Sequence, residues 1–345
     1  MTRNSPQRAQ KKNTQSPDRE ARPGEMRTFA PLGMTFCASE SVIANCRVLV
    51  CVALLVGLPR ALGDELRRPH ILGIASVRIA VSDISASGRF YSDATGFDLE
   101  CHWCETSDST GVVVLPSGQM ISLVSEKLSP RSSLLKEVTF AVDNLDVLKQ
   151  TLDASKIVSQ EDRSEKKLLS IGVKDPEGHA LRFTGPRTPE ALAKAISPSD
   201  NAVKRMIHAG WVVKDREAMD KFYKDVLGFH VYWHGGMKDN ETNWVDMQVP
   251  DGTDWIEYML NVPADADKQT LGVMNHIALG VPDVRTAANQ LENAGVKLTE
   301  PPKIGRDGKW QLNLYDPDQT RVELMEFTPV EKPCCAEYTG PHPKP

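Results

Sequence analysis

Val81-Ser82-Asp83, followed by Arg89-Phe90-Tyr91-Ser92-Asp93 and Gly96-Phe97, returns later in the chain as Val213-Lys214-Asp215, Lys221-Phe222-Tyr223-Lys224-Asp225 and Gly228-Phe229. The offset is 132 residues throughout. A second pair of segments shares a different ending, with Asp175-Pro176-Glu177-Gly178 before Leu181-Arg182-Phe183 and Asp316-Pro317-Asp318 before Val322-Glu323-Leu324. The order is A, B, A′, B′: an internal repeat, in which each unit is one supersecondary piece that needs a neighbour to bury its apolar face.

The period of apolar residues says what each unit is. Ile207 to Val213 is a β-type stretch, and Asp215 then caps a helix over Glu217 to Leu227, whose Met219, Phe222, Tyr223 and Val226 recur at helical spacing until Gly228 stops it. Three strand-like runs follow, at His230 to His234, Asn243 to Val249 and Trp255 to Leu260, separated by turns with Gly and Pro. The pattern is βαβββ. It is repeated by Asn275 to Val281, a helix from Val284 to Asn293 ended by Gly295, and strands near Lys297 to Ile304, Lys309 to Tyr315 and Thr320 to Phe327. Modules one and two follow the same order across Ala75 to Ser125 and Lys136 to Gly185. The fold class is therefore α+β, with four βαβββ modules forming two paired-module domains at 71–185 and 203–328, joined by a Pro-containing linker at 186–202 and followed by a Pro- and Cys-rich tail at 329–345.

Composition narrows the partners. The 345 residues are 40% hydrophobic and 25% charged, an ordinary globular balance that excludes a wholly disordered chain or a polytopic membrane protein. Net charge is −5, and the first 63 residues hold nine basic and four acidic residues, so the rest carries −10. Nucleic acid is disfavoured, and a small molecule is the expected partner of a monomer or homodimer.

Residues 1–63 read as an extension and signal peptide. Arg47, the eleven apolar residues Val48 to Leu58, Pro59 and the small-residue site Ala61-Leu62-Gly63 stand in the order of an export signal. The run is too short for a membrane span of roughly 20 residues, so a membrane would be met only through an uncleaved signal. A signal of about 15 to 30 residues counted back from Gly63 starts near Met34, and residues 1–33 then read as an over-extended frame; a disordered tail is the alternative. The mature chain is expected to be secreted or periplasmic. Cys101, Cys104, Cys334 and Cys335 would then meet an oxidising compartment. Cys101 and Cys104 lie three apart on a strand, facing opposite sides, which favours structural or disulfide use over metal binding. Adjacent Cys334 and Cys335 have Cα atoms about 3.8 Å apart, below the usual disulfide range of ~4.4 to 6.8 Å, so each is expected to pair elsewhere.

Four ionisable residues interrupt apolar β-runs. His208 and Glu257 do so in module three, and His276 and Glu323 at the matching places in module four. All four sit opposite the core-facing positions, so they converge on one concavity where unpaired charge is costly. Two imidazoles and two carboxylates suit one divalent transition metal per chain (Ni, Zn, Co, Fe or Mn) better than Ca or Mg. Trp255 shares a face with Glu257 and either lines this pocket or packs in the core. Asn313 points the same way, toward substrate or a neighbouring strand. His230 and His234 are read either as pocket residues or as a solvated strand face.

The βαβββ repeats, the Phe-Tyr-x-x-x-x-Gly-Phe segment, the Asp-Pro-Asp turn and the His/Glu/His/Glu set resemble the vicinal oxygen chelate superfamily of glyoxalases, bleomycin resistance proteins and extradiol dioxygenases, over about Ile71 to Phe327. The ligand spacing is most similar to glyoxalase I. That resemblance implies a metal-dependent lyase or isomerase with His208, Glu257, His276 and Glu323 as ligands and Glu323 as the catalytic base. It makes Asn261 a substrate contact, whereas Val212 stands where an Arg for glutathione would be. The four-module architecture is that of the extradiol dioxygenases, whose His, His and Glu would be His208, His276 and Glu323. Their further His and Tyr are missing here: no His lies between His276 and Glu323, and Asn313 takes the Tyr place. A non-catalytic binding protein is the third reading. In the N-terminal half the corresponding residues, Ser76, Ser122, Glu137 and Arg182, cannot hold a metal.

Overall fold

A computed structural model describes residues 68–102, 110–129, 132–164, 167–186 and 201–345. The signal segment, Cys104 and most of the linker lie outside these residues, as does the side chain of Cys101. The described strands form two eight-stranded sheets. The first is built from β1 (Ile71–Val81), β2 (Leu99–His102), β3 (Thr110–Val114), β4 (Met120–Ser125), β5 (Leu135–Val142), β6 (Ser159–Ser164), β7 (Lys167–Lys174) and β8 (Ala180–Thr184), in the order β2-β3-β4-β1-β5-β8-β7-β6. The second repeats that order with β9 (Arg205–Val212), β10 (His230–Gly235), β11 (Trp244–Gln248), β12 (Trp255–Met259), β13 (His276–Val281), β14 (Lys303–Ile304), β15 (Trp310–Tyr315) and β16 (Arg321–Glu326).

In every module the first strand pairs in parallel with the last, and the two modules of a sheet meet through antiparallel first strands, β1 with β5 and β9 with β13. Helices α1 (Ile84–Thr95) and α2 (Leu145–Ala154) serve the first sheet; α3 (Arg216–Asp220), α4 (Lys268–Met274) and α5 (Val284–Asn293) serve the second. Asp83, Asn144, Asp215, Asp267 and Asp283 cap these helices through backbone N–H groups, satisfying donors that have no partner inside the helix.

The two repeated motifs turn out to be partners. Tyr91 of the first Phe-Tyr segment donates to Asp316 of the second Asp-Pro turn, and Tyr223 of the second segment donates to Asp175 of the first turn, both at 3.3 Å. Module one is thus tied to module four and module three to module two. Phe140 and Phe229 meet edge to face in the same shared core. A buried carboxylate finishes the joint: Asp254 accepts from the backbone N–H of Ile74 at 2.9 Å and from the Arg205 guanidinium.

Several expectations need correction. Lys297 to Ile304 is not a strand along its length; only Lys303–Ile304 pairs, at the sheet edge. The helix after Asp215 is α-helical for one turn and runs on as a π-helical stretch, Lys221–Val226, with Leu227 N–H donating to the Phe222 carbonyl. Cys334 and Cys335 are joined to each other rather than to distant cysteines, in a turn where Cys335 adopts a left-handed φ of 71°. The tail around them docks on the edge strand β10: Thr339 N–H donates to the Tyr232 carbonyl, and the Tyr338 ring packs tilted against that of Tyr232, with centroids 4.7 Å apart.

Candidate metal centre

Four neighbouring strands, β12-β9-β13-β16, carry the four donors. Register explains why they meet. Gly210 of β9 is flanked by Glu257 on one side and His276 on the other, while Ala278 of β13 is flanked by His208 and Glu323. A small residue therefore stands between each pair of donors, leaving the space above it to their side chains. The Nε2 atoms of His208 and His276 are 3.0 Å apart, and Glu257 Oε2 is 3.0 Å from His276 Nε2 and 3.8 Å from His208 Nε2. Glu323 Oε2 is 3.5 Å from His208 Nε2 and 3.9 Å from His276 Nε2. Donors sharing one ion at bond lengths of about 2.0 to 2.2 Å stand roughly 3 to 3.5 Å apart; three of these separations match a transition metal, and those of 3.8 and 3.9 Å lie just beyond it.

His276 Nδ1 lies 3.1 Å from the Met274 carbonyl, which fixes the proton there and turns the Nε2 lone pair inward. The Arg321 guanidinium, an obligate donor 2.7 Å from that Nε2, agrees with this tautomer. His208 Nδ1 is buried without a hydrogen-bond partner, so its tautomer is not fixed in this way. Burial holds both imidazoles neutral, with pKa values well below the ordinary range; a second effect is His276 acting on His208 and Arg321 acting on His276. Burial also pushes Glu257 and Glu323 up to about 7, against the pull of Arg321.

The donors open into a pocket of about 320 Å³. Trp233, Trp244 and Trp255 form one wall; Trp255 lies against the His208 ring, with centroids 4.8 Å apart. Asn313 lines the opposite wall, where its amide donates to Glu300 at 2.7 Å and its oxygen faces Arg321 at 3.5 Å. Asn261 is corrected. It turns with φ 62° on an exposed loop, donates to the Thr242 carbonyl at 2.9 Å and does not line the pocket, because the strand ends at Met259 before reaching it. Nor do His230 and His234, the first being paired with Gln248.

Two residues escaped the sequence reading. Arg321 stands two before Glu323 on β16, so the same alternation that marked Glu323 would have placed it in the pocket. Asp246 faces Glu257 in register and is buried, its pKa raised well above the carboxylate range by burial first and Glu257 second.

In the first sheet the same register positions hold Ser76, Ser122, Glu137 and Arg182, and Gly210 is replaced by Arg78. Arg182 grips Glu137 through two 3.0 Å bonds and also donates to Ser170 at 3.1 Å. An internal ion pair takes the place that donors and metal would need.

The sequence matches the Glyoxalase/Bleomycin resistance protein/Dioxygenase superfamily over residues 73–183 and 205–324. The chain belongs to this family. No curated protein matched. Among solved structures, homoprotocatechuate 2,3-dioxygenase from Arthrobacter globiformis is similar at 17% identity and a TM-score of 0.55, covering 75% of this chain and 80% of that one. The 2,3-dioxygenase LapB from Pseudomonas sp. KL28 is similar at 13% identity and a TM-score of 0.57, covering 80% and 95%. At such identities the likeness is one of fold: two sheets of paired βαβββ modules, shared with ring-cleaving dioxygenases.

Proposed function

We propose that this family member is an exported, metal-dependent lyase or isomerase acting on a small substrate with two neighbouring oxygens. The observation that carries the reading is a close His208, Glu257 and His276 group with a second carboxylate, Glu323, facing the same buried space. His208, Glu257 and His276 form the tight group, and Glu323 is the looser fourth. A divalent ion held there would supply Lewis acidity toward the substrate oxygens. Glu323, buried and pushed up to about 7, is poised to take and return a proton near neutral pH. The tryptophan side chains give the substrate an apolar surface beside that exchange.

A dioxygenase reading is favoured by the shared four-module architecture. Against it, Glu257 occupies a place that a His, His and carboxylate set leaves open, and among the described residues no tyrosine lines the pocket. Export is supported by the order of charge, apolar run and small residues before Asp64, and by a disulfide that suits an oxidising compartment.

Purified protein should carry about one divalent ion per chain. It should be active with Ni, Co or Zn on 2-oxoaldehyde or thiol-adduct substrates without oxygen uptake, and Glu323→Gln should cost about 10² to 10⁴ in rate. Fe(II)-dependent oxygen uptake with catechols that survives Glu257→Ala would replace this reading by the dioxygenase. Metal-free protein that binds ligands without turnover would make it a binding protein.

A further inference from the structure

The cations around the pocket are not equivalent. Arg306 is paired with Asp239 and Lys303 with Glu300, both toward the rim. Arg321 lies deeper, with 14% of its side chain exposed; its Nη2 donates to His276 Nε2 at 2.7 Å, and it has no carboxylate of its own. Among the described residues the one carboxylate within ion-pair distance is Glu257, at 4.0 Å, which is already a donor of the metal set. Its Nε is buried without a hydrogen-bond partner. Asn313, anchored by Glu300, presents its oxygen to the Arg321 Nη1 at 3.5 Å. A desolvated guanidinium whose one close partner is a neutral imidazole, and whose Nε has none, is costly unless something that enters the site completes it.

We propose that Arg321 makes the pocket selective for a carboxylate carried beside the substrate's neighbouring oxygens, on a flat apolar body that lies against Trp233, Trp244 and Trp255. The inference rests on the metal-site reading above. The planar guanidinium fork matches a carboxylate, and Arg321 lines the same pocket as the donors, so one small molecule can meet both. A neutral diketone of the same shape would leave Arg321 unpaired.

Two probes of one shape separate charge from shape: benzoylformate, and its neutral methyl-ketone counterpart phenylpropanedione. Binding to the Co(II)-loaded full chain is read by calorimetry and by the visible Co(II) spectrum. Wild-type protein should bind benzoylformate at least about tenfold more tightly than the diketone. Arg321→Gln should lose that preference while still binding one Co(II) per chain, and Arg321→Lys, which keeps the charge, should keep part of it. Equal binding of the two probes by the wild type, or an undiminished preference in Arg321→Gln, overturns the assignment and leaves the metal site standing. Failure of the wild type to bind Co(II) would remove both.

Discussion

Gly210→Ala is the sharpest test of the donor geometry, because it adds one methyl group and replaces no donor residue. A Cβ at this position would lie 2.6 Å from His276 Nδ1 and 3.1 Å from its Nε2, and closer still to Cε1. Ordinary carbon contacts begin near 3.5 Å, so the imidazole must give way by about 1 Å, whereas a metal–ligand distance tolerates about 0.2 Å. The movement also pulls Nδ1 from the Met274 carbonyl, the bond that fixes the tautomer. Loss of such a support lowers metal affinity by about 10- to 100-fold, and overpacking costs about 1 to 3 kcal/mol of stability. The backbone itself is no obstacle: the matching position in the first sheet is Arg78, so this register accepts a large side chain where no imidazole stands above it. Competition for Zn(II) or Co(II) against a chromophoric chelator gives the affinity, and thermal unfolding of the metal-free protein gives the stability. If Gly210→Ala bound metal within about twofold of the wild type, His276 would not be a ligand in the orientation described.

The pH dependence of metal binding follows from the carboxyl groups. The histidines are already neutral, with lowered pKa values, while Glu257 and Glu323 hold protons up to about pH 7. Metal must displace those protons, so affinity should rise with pH until about 7 and flatten above it; a plateau reached by about pH 5 would contradict the raised pKa values. Ser76→Ala and Arg182→Ala should leave the count at about one ion per chain. Arg182→Ala should also cost about 1 to 3 kcal/mol by stranding Glu137, measured by denaturant unfolding; a second ion lost with either variant would place a site in the first sheet. Intact-mass analysis of exported material should put the mature N-terminus near Asp64, and a cytosolic product retaining Val48 to Leu58 would contradict export.

The module plan was readable because its signals are local. Val284 to Asn293 is a helix with the bounds its period and caps imply, and the strands of module three agree within about two residues. His208, Glu257, His276 and Glu323 were readable because strand alternation assigns a face without knowledge of the partner strand. Register, loop direction and chain return depend on residues far apart in sequence, and these only the tertiary structure decided. It put Gly210 beneath His276 and swung Asn261 outward once β12 had ended. It likewise turned Cys334 onto Cys335 and reduced Lys297 to Ile304 to a two-residue edge pair. The Phe-Tyr and Asp-Pro motifs show the division most plainly: their recurrence is written in the chain, but the reason for it, a reciprocal hydrogen bond between modules more than a hundred residues apart in one case and about fifty in the other, exists only after folding.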